Sequence, residues 1–163
     1  MNPTWNRKCT VLNKSMVFAA IVTSFAMAPN SAQAADLVLL MIDKPFESAW
    51  QDLESAVKSN KMGVVTRASA SRGAKARGLD IPGNAVVGVY RNDYAVRMLE
   101  ASVPAGIEAP LRFYLTENAD GRTTLSYKRP SAVFAPYGSA DLDTMAADLD
   151  AVFAKIAKNA SAR

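Results

Sequence analysis

Apolar and polar positions in the middle of the chain predict three strands. Residues 85–90 form a β-branched run that is too short for a helix. Residues 111–115 and 123–127 lie on either side of the sequence Asn-Ala-Asp-Gly at 118–121. Because glycine accepts a positive φ without steric cost, this sequence predicts a tight turn between two antiparallel strands.

Three segments have the periodicity of amphipathic helices. The first is predicted to begin near Pro45, the second near Asn92 or Asp93, and the last near Ser139. The apolar positions that share one face are Phe46, Trp50, Leu53 and Val57 in the first, Val96, Leu99 and Val103 in the second, and Leu142, Met145, Leu149, Val152, Phe153 and Ile156 in the third.

The run Leu-Val-Leu-Leu-Met-Ile at 37–42 is apolar throughout. Such a strand is expected to be covered on both faces, so we predict a central strand here. Another strand is predicted to start at Val64, and a polar connector, either a basic loop or a short helix, follows over 67–78. The order β-α-β-β-α-β-β-α predicts an α+β domain in which helices pack on one face of a mainly antiparallel sheet.

The first 34 residues have the pattern of a secretory signal peptide. Arg7, Lys8 and Lys14 precede an apolar run over 16–28, and the segment closes on Ala-Gln-Ala at 32–34. We expect cleavage near Ala34, a periplasmic location, no stable membrane insertion afterwards, and a single domain over 35–163. The apolar run is shorter than the roughly 20 residues that a membrane-spanning helix needs.

Composition removes several classes of chemistry. The chain has no histidine, and its one cysteine, Cys9, lies in the predicted signal peptide. Catalysis by Ser-His-Asp or Cys-His groups is therefore excluded, as are ordinary zinc and copper sites, and we expect no metal and no cofactor. Three of the 19 basic residues lie before residue 35, whereas all 15 acidic residues follow, so the remaining domain carries a net charge of +1. This balance does not favour a nucleic-acid partner.

Two short motifs look catalytic but lack the residues that the chemistry requires. The glycine spacing at 73–78 resembles a phosphate-binding loop, yet Leu79 stands where lysine and a hydroxyl residue would follow. Ser55 and Lys58 match a Ser-x-x-Lys pattern without its companion elements. Both are interpreted as surface features.

The remaining candidate is a group of cations that could form an anion site. Arginine presents a planar fork that binds carboxylate or phosphate through two hydrogen bonds. A pocket between the sheet and the connector would hold a small anion or a lipid headgroup. The candidate ligand-binding residues are Arg67, Arg72, Arg97, Arg112 and Tyr127.

Several motifs together resemble the family of domains of unknown function 302. They are Val-Val-Gly-Val-Tyr-Arg-Asn-Asp at 86–93, the Gly-Ile-Glu-Ala-Pro segment at 106–110, Asn-Ala-Asp-Gly at 118–121 and Leu-Ser-Tyr at 125–127. The resemblance implies a small α+β domain with a curved antiparallel sheet of TATA-binding-protein-like topology, and a homodimer. The chain departs from the family pattern at Asp93, where proline is usual, and it lacks the histidine that many relatives carry in the connector.

These features favour an exported, non-enzymatic module that binds a small anionic ligand or a periplasmic protein. One alternative is an enzyme, or an accessory factor of a redox or sulfur system, that uses Arg, Tyr or Ser groups in a cleft. Another is a purely structural envelope protein. A cleft lined by the candidate residues would favour ligand binding, whereas an exposed apolar face would favour assembly.

Overall fold

The fold is built on a five-stranded antiparallel sheet, seen in a computed structural model that describes residues 36–162. Its strand order is β1-β5-β4-β3-β2, which confirms the predicted α+β class. The predicted signal peptide lies outside the described residues. The strands are β1 (Leu37–Ile42), β2 (Gly63–Ala68), β3 (Asn84–Tyr90), β4 (Leu111–Glu117) and β5 (Thr123–Lys128). The helices are α1 (Phe46–Ser59), α2 (Ala70–Lys75), α3 (Asn92–Ala101), α4 (Pro130–Phe134) and α5 (Ala140–Ser161).

The hairpin between β4 and β5 forms where the glycine turn predicts it. Gly121 has a φ of 79°, and the Asn118 N–H donates to the Arg122 carbonyl at 2.8 Å. This closure sets the register in which Phe113 pairs with Tyr127 and Leu115 with Leu125. Every second residue of both strands therefore points to the same side of the sheet.

Helices α1 and α5 cover one side of the sheet, which we call the covered face. The predicted apolar stripes of both helices are buried, apart from Val152, which is partly exposed. Phe113 of β4 stacks on Phe153 of α5 with ring centroids 4.6 Å apart, and Tyr127 meets Phe113 edge-on at 5.2 Å. Aromatic pairs in these geometries add to the free energy of area burial, so the centre of the core lies here.

The position of strand β1 differs from the prediction, because among the described strands it lies at the edge of the sheet and pairs with β5 alone. Leu39 is 64% exposed and Met41 52%, whereas Ile42 at the end of the strand is buried. The prediction of a central strand covered on both faces was wrong. A uniformly apolar strand normally has layers on both sides, but α1 and α5 cover only one side of β1 and leave Leu37, Leu39 and Met41 on the other.

Helix α3 also turns its apolar stripe outward. Ala95 and Met98 are the buried residues of this helix, whereas Val96 and Leu99 are both 47% exposed. The 3₁₀ helix Val103–Glu108 continues the same surface with Val103 and Ile107. The helix begins at Asn92, as predicted, but no side-chain hydrogen bond caps its start.

Two connecting segments contain short helices. The polar connector forms α2, whose start is capped by Ser69 Oγ accepting from the Arg72 N–H at 3.1 Å. The segment after β5 contains α4 because Pro130 suits the first helical turn and the Asp150 carboxylate accepts from both the N–H and the hydroxyl of Ser131. Among the described helices, none has the length and apolar character needed to cross a membrane.

Candidate functional site

The uncovered side of the sheet, which we call the open face, carries three cross-strand rows of side chains. Four neighbouring strands form these rows, in the spatial order β1, β5, β4 and β3. Each row contains one residue from each of the four strands, and the strand register places the rows next to one another. From β1 to β3, the rows are Leu37, Lys128, Arg112 and Gly88; Leu39, Ser126, Tyr114 and Val86; and Met41, Thr124, Thr116 and Asn84.

The first row contains two positive charges side by side. Phe113 pairs with Tyr127, so the next positions along the ladder, Arg112 and Lys128, lie opposite each other on β4 and β5. Like charges in directly opposed positions of antiparallel strands destabilise a sheet. Within residues 36–162 neither side chain has a hydrogen bond or an ion pair. We call Arg112 and Lys128 the cation pair.

A cleft of about 570 Å³ opens above the cation pair. Its floor includes Leu37, Tyr114 and Ser126 of the open face, and Ala132 and Val133 of α4 form an apolar wall. Cleft volumes of about 300–1,000 Å³ are typical of small-molecule sites. The size and the mixture of an apolar lining with a few charges therefore suit a small ligand.

Two carboxylates, Asp36 and Glu108, also line this cleft. Glu108 accepts a hydrogen bond from the Tyr137 hydroxyl at 3.0 Å, and burial, together with this bond, raises the pKa of Tyr137. Neither carboxylate lies within ion-pair distance of the cation pair. The lining therefore balances two positive and two negative charges, but the two positive charges are adjacent and lack direct partners among residues 36–162.

The structure separates the residues that sequence reasoning grouped together. Arg67 donates to both carboxylate oxygens of Glu54 at 2.7 and 2.8 Å, and this contact holds the pKa of Glu54 below its usual range. Arg97 donates to Asp148 at 3.0 Å. Both partners belong to helices of the covered face, so these arginines lie away from the cleft and their binding role stays a prediction.

Arg72 and Tyr127 also have structural partners. The Arg72 guanidinium lies 3.8 Å from the centre of the Trp50 ring and donates to Glu47 at 2.8 Å. Tyr127 lines the cleft, but its ring belongs to the aromatic core, and burial raises the pKa of its hydroxyl. Of the five predicted residues, Arg112 and Tyr127 therefore meet at the cleft, and the binding role of Arg72 likewise stays a prediction.

Sequence reasoning missed Lys128, Tyr114 and Ser126. The signal was available in the alternation of the two hairpin strands, since an inward Phe113 and an inward Tyr127 require Arg112 and Lys128 to point outward. No cluster of three or more metal-binding side chains of the His, Cys, Asp or Glu type occurs in the part of the chain that the structure describes.

Comparison with known proteins gives a family and a fold. A family model described as "Domain of unknown function DUF302" matches residues 40–160. The chain resembles the crystal structure of an uncharacterized conserved DUF302 protein from Bacillus stearothermophilus with a TM-score of 0.67 and 18% identity, over 76% of this chain and 98% of that one. At this identity the likeness supports the fold alone. No curated protein matches the chain significantly.

Proposed function

The chain belongs to the DUF302 family, and from this premise we propose that it is a binding module that recognises a small anionic ligand on the open face of its sheet. The observation that carries the proposal is the cation pair. Two adjacent cations without partners in the described chain, at the floor of a cleft, supply the charge that an anion needs. An anion between them would remove the repulsion that the sheet otherwise tolerates.

The two cations offer complementary contacts to an acidic group. The Arg112 guanidinium can donate two parallel hydrogen bonds to one carboxylate, and the Lys128 ammonium adds a compact charge from the neighbouring strand. Hydrogen bonds between charged groups are roughly twice as strong as neutral ones. Ser126 places a hydroxyl in the next row, where its Oγ lies 3.4 Å from the Tyr114 carbonyl.

We also propose that the protein works after export, in the periplasm. The support is the order of basic, apolar and small residues over 1–34. The mass of the protein recovered from its own cells tests this, because cleavage after Ala34 leaves a chain that begins at Ala35. A protein that retains the first 34 residues contradicts the proposal.

A second copy of the chain is the partner that we propose for the outward surface of α3. Val96 and Leu99 of α3 are exposed apolar residues, as are Val103 and Ile107 of the following 3₁₀ helix at 73% and 82% exposure, and none of the four lines the cleft. Exposed apolar patches of this kind mark protein interfaces. We expect a homodimer in which the two α3 surfaces meet, and Ile107→Asp should shift it towards the monomer.

Native mass spectrometry of protein purified from its own cells tests ligand binding and subunit number together. We expect a dimer that retains a small acidic molecule. The double variant Arg112→Gln, Lys128→Gln should lose that molecule and stay folded, whereas Arg77→Gln, which removes an exposed cation of the loop before β3, should retain it. A ligand-free wild-type protein, or a molecule that persists in the double variant, would contradict the proposed site.

A further inference from the structure

The apolar side of β1 continues directly from the cation pair. Leu37 is paired with Lys128 in the first row, and Leu39 and Met41 follow at every second position along the strand. We call these three side chains the apolar track. They are 43%, 64% and 52% exposed in chain order, and at about 3.3 Å per residue they extend roughly 13 Å from the charged end of the open face.

The track is unusual for a surface that contacts only water. Three consecutive outward positions of an edge strand are large and apolar, whereas native edge strands commonly carry charges or prolines that discourage contact. Tyr114, also 43% exposed, lies across Ser126 from Leu39 and widens the apolar surface in the second row. The charged end and the apolar end of the open face are therefore adjacent and continuous.

We infer that the ligand of this site is a single-chain amphiphile with a carboxylate head, a fatty-acid-like molecule whose head lies between Arg112 and Lys128 and whose chain lies along the apolar track. The inference deepens the proposed function and rests on it. The head occupies the cleft, and the hydrocarbon covers Leu37, Leu39 and Met41, which are exposed in the part of the chain that the structure describes.

The charges that line the cleft favour a ligand head group with one negative charge over a head group with two. Asp36 and Glu108 line the same space as the cation pair, so a dianion such as a phosphate monoester would meet a lining whose charges already sum to zero. A monoanion gains the two adjacent cations with less repulsion from the two carboxylates. The planar carboxylate also matches the fork of Arg112.

The third row of the open face, in which Thr124, Thr116 and Asn84 lie beside Met41, limits the length of hydrocarbon that the surface can cover. Thr124 is paired with Met41 across the strands, and the Asn118 amide nitrogen lies 3.1 Å from the Met41 sulfur. Hydrocarbon gains nothing by covering these polar groups, because their hydrogen bonds to water would be lost. A chain of about ten carbons matches the roughly 13 Å track, since each carbon of an extended chain advances less than half as far as a residue of a strand.

Calorimetric titration with acids of different length tests the inference. Decanoate should bind about fiftyfold more tightly than butanoate. This factor follows if each of the six extra methylene groups gains half of the free energy that complete burial of a methylene would give. Decyltrimethylammonium, which has the same chain and a cationic head, should bind at least tenfold more weakly than decanoate. Equal affinity for decanoate and butanoate would overturn the amphiphile while leaving anion recognition intact.

Variants separate the head from the chain. Leu39→Ser should weaken decanoate about tenfold and leave butanoate unchanged, because it removes apolar contact without touching the cation pair. Leu79→Ser is the matched control, since Leu79 is 53% exposed in the loop before β3, and it should alter neither affinity. An unchanged decanoate affinity in Leu39→Ser would overturn the apolar track, and equal binding of decanoate and decyltrimethylammonium would overturn anion recognition and the inference together.

Discussion

The two faces of one sheet are built from alternate residues of the same strands, yet they differ in almost every property. On the covered face, Phe113, Leu115 and Leu125 are fully buried beneath α1 and α5. On the open face, their chain neighbours Arg112 and Tyr114 are exposed. The covered face gains free energy from burial, whereas the open face holds an apolar track and a cation pair without partners in the described chain, and these contribute little to folding.

This contrast indicates that the covered face stabilises the domain and that the open face is available for binding. A core of aromatic and aliphatic residues on one side supplies the stability that allows the other side to keep adjacent like charges and exposed leucines. Features that cost stability and persist are expected at binding surfaces. The open face has two such features at neighbouring positions of the sheet, and the covered face has neither among the residues that the structure describes.

The largest expected effect comes from Phe113, at the centre of the covered face. Phe113→Ala removes a ring that stacks on Phe153 at 4.6 Å and meets Tyr127 at 5.2 Å, so the free energy of unfolding should fall by about 3–5 kcal/mol. Tyr114→Ala, one residue later on the open face, should cost less than about 1 kcal/mol. Chemical denaturation measures both, and equal losses would show that the two faces are not distinct.

The next effect is on ligand affinity. Arg112→Gln should weaken carboxylate binding by about 1.5–3 kcal/mol, the range for a hydrogen bond to a charged group. The same variant should unfold at an equal or slightly higher denaturant concentration, because it relieves the repulsion from Lys128. Titration calorimetry and denaturation on the same sample measure the two effects. A loss of both affinity and stability would mean that Arg112 supports the fold.

A smaller effect is expected where the open face is closely packed. A methyl group at Gly88 would collide with the Thr66 hydroxyl and approach the Pro110 ring at 3.1 Å, so Gly88→Ala should destabilise the protein by about 1–2 kcal/mol. Gly73 in α2 has no atom within 4 Å of the corresponding position, and Gly73→Ala should stabilise by roughly 0.5–1 kcal/mol. Thermal denaturation compares them, and a neutral Gly88→Ala would show that β2 and β3 pack loosely here.

The smallest expected effect is on the pH dependence of stability, through the ion pair between Glu54 of α1 and Arg67. The Arg67 hydrogen bond lowers the pKa of Glu54, so the folded carboxylate binds its proton less readily than the unfolded one. The resulting stability is present above the unfolded pKa of about 4.3 and is lost as pH falls through the lower folded value. Glu54→Gln should therefore be less stable than wild type at pH 7, and this deficit in the free energy of unfolding should shrink as the pH is lowered. Glu100→Gln, which changes an exposed carboxylate of α3 that has no ion pair in the described chain, is the control and should match wild type in denaturation at pH 7.

Sequence patterns predicted much of this fold because its signals are local. The glycine turn at 118–121 sets the hairpin register, and the stripes on α1 and α5 identify the covered face. The position of β1 was not predictable in the same way. Strand order depends on pairing between distant segments, here Leu37–Ile42 with Thr123–Lys128. An apolar sequence does not show whether the second face of its strand is buried under another layer or exposed for binding.

The candidate site was only partly predictable for a related reason. Arg67 and Arg72 are close in sequence and looked like a basic cluster, but Glu54 and Glu47 of α1 neutralise them. Arg112 and Lys128 are distant in sequence, and the hairpin brings them together. A count of charges cannot distinguish a paired arginine from an unpaired one, because the partner comes from another element.

The most direct test of the central claim is to map ligand contacts by NMR on the protein in solution. Titration with decanoate, followed through backbone amide signals, should shift the resonances of β1, β4 and β5 around Leu39, Arg112 and Lys128. The signals of α1 and of the exposed side of α5 should stay in place. Shifts concentrated on those helices, or no shifts at millimolar decanoate, would contradict the assignment of the open face as the recognition surface.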